Sequence, residues 1–135
     1  MKNIFATIVG FIVASVTVYI FESLIGHNLF PLPEGANPMD MEWIKNNMDQ
    51  IPMGAKIFVV IAHFAGIVAG MFVAGLISKT SMIPAYIVGC LMIAATFFNI
   101  FMLPKELWFT LSDGAFAFIG FLVGTSIAKK QIKNE

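Results

Sequence analysis

GAKIFVVIAHFAGIVAGMFVAGLIS, residues 54–78, decides the fold. A helix needs about 20 mostly apolar residues, rising ~1.5 Å each, to cross the hydrocarbon core of a bilayer. This stretch has that length. Three more like it occur, at roughly Ile4–Ile25, Ile83–Leu103 and Leu107–Ala128. The reading is therefore all-α: a single integral membrane domain over residues 1–135, built as an antiparallel bundle of four transmembrane helices. An outer loop, residues 26–53, separates the first two spans.

Composition agrees. The chain is 59% hydrophobic and 12% charged, where a soluble domain carries about 25% charged residues. Four spans consume most of the 135 residues, so no soluble catalytic domain of ordinary size remains. The net charge of zero hides an uneven distribution. Lys2, Lys79, Lys129, Lys130 and Lys133 gather at the two ends and the 79–82 loop. Glu34, Asp40, Glu42 and Asp49, against Lys45, fill the 26–53 loop. Excess lysine marks the cytoplasmic side, so both termini and the 79–82 loop are placed inside. The 26–53 loop and the 104–106 turn are placed outside. Cys90, the only cysteine, lies mid-span and has no intramolecular disulfide partner. The first span is longer than a signal-peptide core and reads as retained. No Walker loop, CxxC pair, HExxH or basic nucleic-acid patch is present, so nucleic acid is not an expected partner.

The outer loop carries its own pattern. Asn37-Pro38-Met39-Asp40 reads as a helix start with proline at the first position. Met41, Ile44, Met48 and Ile51 follow at spacings of three and four. This predicts an amphipathic helix over about 38–50, lying on the membrane interface or capping the bundle. It is either a passive lid or a gate over a cavity. Pro84 sits in the first turn of span three and Pro104 ends it, while Trp43 and Trp108 fall at the outer interface. Ala62, Gly66, Gly70 and Ala74 recur every four residues in span two, and Ala117, Gly120 and Gly124 form a similar row in span four. Small residues in such rows let helices approach closely in lipid.

Four polar side chains inside the spans require partners: Glu22, His63, Asn99 and Asp113. Counted from the outer ends, their depths are about 5, 14, 6 and 9 Å, in that order. All four fall in the outer half of the bilayer, each on the small or polar side of its helix. Glu22 aligns with Tyr19 and Ser15, and Asn99 lies a turn from Thr96. Ionisable groups at such depth are costly and face a cavity or one another. One polar cluster opening outward is therefore expected. A carboxylate beside His63 suits proton relay. Zinc is the alternative, with His27, His63, Glu22 and Asp113 as weak candidate ligands. The spacing matches no metal signature, so no cofactor is expected. A small polar ligand or lipid headgroup is a third occupant, and a hydrogen-bond network fixing helix register is the plain structural role.

The order of these features resembles a widespread group of small bacterial four-span membrane proteins without an assigned activity. The residues carrying it are Glu22-Ser-Leu-Ile-Gly-His27 running into Leu-Phe-Pro31, then Pro33, the Asp40 segment and Ile51-Pro-Met-Gly54. The Gly66–Gly70 row ending in Ala74-Gly75, Asn99 before Pro104, and Trp108-Phe109 complete it. The resemblance implies a multi-pass protein of the bacterial inner membrane. It brings no substrate, cofactor or catalytic residue, and Asp113 lies outside its pattern.

The expected role is a non-enzymatic accessory subunit or a binder of a small ligand or lipid, with its polar pocket in the outer half of the bilayer. A small oligomeric transporter or proton-coupled exchanger is the first rival, and a membrane-embedded enzyme or metal site acting on lipid headgroups the second. Membrane lipids are the expected partners, with a larger membrane complex or a homo-oligomer as further ones.

Overall fold

The computed structural model describes residues 1–37, 39–103 and 106–133. Pro38 and Pro104, read above as the start of the loop helix and the end of span three, and Lys105 of the 104–106 turn lie outside them. Among the described residues the chain is helical throughout its ordered elements, with no strand. Helix α1 runs Lys2–Leu29, α2 Met41–Asn46, α3 Met53–Ser78, α4 Ile83–Met102 and α5 Leu107–Lys129. All but α2 are long and apolar enough to cross a membrane.

Helix α3 is the central element, packed on α1, α4 and α5. The small-residue rows explain how. A Cβ added at Gly70 would stand 2.8 Å from the Gly10 carbonyl oxygen and 2.7 Å from the Ala14 Cβ. One added at Gly10 would stand 2.8 Å from the Gly70 carbonyl oxygen. The two backbones touch, and only hydrogen fits between them. On another face of α3, Gly75 meets Ala128 and Gly124 meets Met71. Ile67, Met71, Ala74, Val88 and Ala117 fill the apolar core between these contacts. The outward faces are apolar too, with Ile4, Ile8, Ile12, Phe98, Leu111 and Leu122 all exposed.

Two expectations change. The first span does not stop at Ile25. Its helix continues to Leu29, passing through a π-helical stretch at Ile20–Gly26. Gly26 is where Phe58 of α3 lands, since a Cβ there would lie 2.9 Å from the Phe58 Cβ. The outer-loop helix is also shorter than 38–50. Asp40, not Asn37, is its N-cap, accepting from the Glu42 and Trp43 amides at 3.1 Å. Asn47 breaks it by donating its side-chain amide to the Trp43 carbonyl, and a single 3-10 turn, Met48–Gln50, follows. The apolar face still has its partner: Met48 is buried with Val60, Leu103 and Phe109, and Ile44 and Ile51 pack beside it. The loop caps one end of the four long helices.

Candidate functional site

His63 and Asp113 are brought together. His63 stands on the packed face of α3, in line with Gly66 and Ile67. Asp113 lies among Phe109, Ala117 and Gly120 on the packed face of α5 and is fully buried. Nδ1 of His63 is 2.6 Å from Oδ1 of Asp113. An ionised carboxylate only accepts, so Nδ1 carries hydrogen and donates. A neutral imidazole then keeps Nε2 as an acceptor.

Glu22 and Asn99 do not join that pair directly. They stand on a wall shared by two cavities. The larger, about 330 Å³, lies between α1 and α4 over α3, and His63, Ser15 and Thr96 share its lining. The smaller, about 130 Å³, lies under the loop, where Met41, Ile44, Met48 and Ile51 roof it. His27 and Lys56 complete its polar lining.

The π-helical stretch sets this arrangement. In an α-helix, residues five apart point about 140° away from each other. The π pattern closes i to i+5 instead, and the His27 amide donates to the Glu22 carbonyl. The wider turn places both side chains on one cavity wall, which simple α-helical counting from Tyr19 and Ser15 does not produce.

Lys56 is the residue that sequence reasoning missed. It falls inside the second apolar stretch, near its outer end, and its side chain is 4% exposed. Its ammonium donates to Oε1 of Glu106, and the Trp108 indole donates to Oε2 of the same carboxylate. These contacts, led by Lys56, hold the Glu106 carboxyl below its usual range. The signal was present: a lysine four residues after Pro52 faces a glutamate that precedes the fourth apolar run.

Among the described residues no three His, Cys, Asp or Glu side chains gather to hold a metal ion. His27, His63, Glu22 and Asp113 are thus spread over two cavities and one buried pair. No protein-family model, curated protein or solved structure matches this chain.

Proposed function

We propose that this chain is a four-span antiparallel membrane protein, both termini cytoplasmic, that binds the polar group of a small ligand or lipid in the outer half of the bilayer. The lysines at residues 2, 79, 129, 130 and 133 support the orientation. Gly10 against Gly70, and Gly26 against Phe58, support the antiparallel order of the first two spans. One observation carries the binding role. Glu22 has no ion-pair partner among the described residues and lines both cavities with Asn99. A purely structural carboxylate at this depth would be paired.

The test is native mass spectrometry of the chain purified in a neutral detergent. A bound molecule is expected on the parent protein and absent from Glu22→Gln. Equal occupancy in both would remove Glu22 from any binding role. A proton-coupled exchanger is the second reading, favoured by the buried His63–Asp113 pair at the end of the larger cavity. It requires proton flux in proteoliposomes that Asp113→Asn abolishes.

A further inference from the structure

We infer that the larger cavity takes an amphiphile whose head is a primary ammonium group, seated on Glu22 with its chain along the groove between α1 and α4. This rests on the binding role proposed above and names the chemistry of the ligand.

Charge points to a cation. The charged or titratable groups around Glu22 are His27 on its own helix, and Lys56 and His63 on α3; α4 contributes none to the cavity linings. Lys56 is already paired with Glu106, and Nδ1 of His63 is engaged by the Asp113 carboxyl, so neither is free to serve Glu22. Glu22 is the acid on this cavity wall that makes no ion pair among the described residues. In a medium that solvates ions poorly, a cation is the ligand that it selects.

Hydrogen-bond polarity points the same way. The Thr96 hydroxyl donates its proton to the Met92 carbonyl at 2.9 Å, and the Ser15 hydroxyl to that of Phe11 at 2.9 Å. His63, taken as the neutral imidazole, donates through Nδ1 to Asp113 and keeps Nε2 as an acceptor. What these residues can still offer a guest is acceptor lone pairs. Glu22 adds two acceptor oxygens, and the Asn99 carboxamide is the only side-chain donor left on this wall. A wall of acceptors fits a guest made of donors. A primary ammonium has three donors and no acceptor. A phosphate or carboxylate has the opposite need.

Shape supplies the rest. Phe11, Val18, Met92 and Ala95 form the apolar lining, and exposed Phe11, Ser15 and Ala95 leave the groove open at its flank. From Phe11 to Glu22 the helix rises about 16 Å. A chain lying there enters sideways from the lipid while its head reaches Glu22. The ammonium has two sources: a free long-chain amine, or a lipid headgroup that also carries phosphate.

The test uses the full chain in phosphatidylcholine nanodiscs and radiolabelled dodecylammonium. Saturable binding is expected, weakened at least about tenfold in Glu22→Gln, as the loss of a charged hydrogen bond requires. Thr96→Val, nearly isosteric, keeps the fold and weakens binding several-fold; it serves if Glu22→Gln does not fold. Dodecyltrimethylammonium, a cation without N–H donors, is expected to compete less well than the primary amine. Competition by lysophosphatidylethanolamine as well supports a headgroup source; competition by free amines alone supports a free amine. Binding unchanged in Glu22→Gln, competition by dodecyl sulfate as strong as by the amine, or displacement by sodium chloride alone would overturn the inference. Should dodecyl sulfate bind where the amine does not, the cationic ligand falls and the binding role stands. Should no probe bind and no molecule co-purify, both fall.

Discussion

His63 on α3 and Asp113 on α5 meet through Nδ1 and Oδ1 at 2.6 Å, and the carboxylate is wholly inside the protein. Neither group is tolerated there alone. Removing one member of a buried pair leaves the other desolvated and unmatched, which costs more than the pair contributes.

Asp113→Ala is therefore expected to lower stability by about 1–3 kcal/mol, above the average for interhelical hydrogen bonds in membranes. The double change His63→Leu with Asp113→Leu is expected to recover a large part of that loss. Reversible unfolding in mixed micelles measures both. A double variant as unstable as the sum of the single ones would mean the two residues act independently.

Close approach of α1 and α3 gives a sharper test. Gly70→Ala puts its methyl 2.8 Å from the Gly10 carbonyl oxygen and 2.7 Å from the Ala14 Cβ, and neither neighbour can bend away. The helices must part, at about 1–3 kcal/mol. Gly114→Ala meets nothing closer than 3.9 Å. It is expected to be neutral or to stabilise by up to about 1 kcal/mol, because alanine favours helix over glycine. Equal effects at the two positions would contradict the packing.

Much of this was readable beforehand. The apolar runs set the four long helices because their length leaves no other use for them. Gly66 and Gly70 declared a packing face because small residues every four positions have no other advantage in an apolar helix. His63 and Asp113 met because each stood on its helix's small-residue side. Lys56 was overlooked because a lysine near the end of an apolar run reads as one reaching to the surface. Its burial depends on Glu106 and on the loop above it, contacts made across the fold. The π-helical stretch has no local signature either. The apolar count ends the span at Ile25, and the contact of Gly26 with Phe58 on another helix is not visible in the local sequence.

The Lys56–Glu106 pair predicts an acid response. Folding lowers the Glu106 pKa from its ordinary 4.5. A carboxyl with a depressed folded value contributes stability above its unfolded pKa and loses it as pH falls through the folded one. The melting-temperature difference between parent and Glu106→Gln should thus hold steady from neutral pH to about 5 and shrink below 4.5. Glu106 is exposed, so the difference is small and falls further with added salt. A difference that grows on acidification would reverse the assignment.

Asp40 anchors the cap over the smaller cavity. It holds the first turn of α2 through the Glu42 and Trp43 amides. Asp40→Ala is expected to cost about 1 kcal/mol locally. Because α2 spans only Met41–Asn46, that loss appears as faster amide exchange over those residues, while exchange in α3 is unchanged. Uniform acceleration through α3 would mean that the loop and the helices unfold as one unit.

The last prediction concerns register. Between Ile20 and Gly26 the π pattern keeps Glu22 and His27 on one wall, and Leu24 points outward, exposed. Deleting Leu24 removes the surplus residue that the wider turn accommodates, and His27 then stands four residues from Glu22, about 40° apart on an α-helix. Both side chains stay on the cavity wall. With Cys90→Ala as background and His27→Cys as reporter, a polar maleimide should label the parent slowly, since this position is half-buried under the cap, and the shortened chain just as slowly. Gly26 likewise stays on Phe58, so Gly26→Ala, whose methyl lies 2.9 Å from the Phe58 Cβ, is expected to destabilise both chains. Fast labelling of the shortened chain, or a Gly26→Ala tolerated only there, would mean that the stretch does not hold one surplus residue.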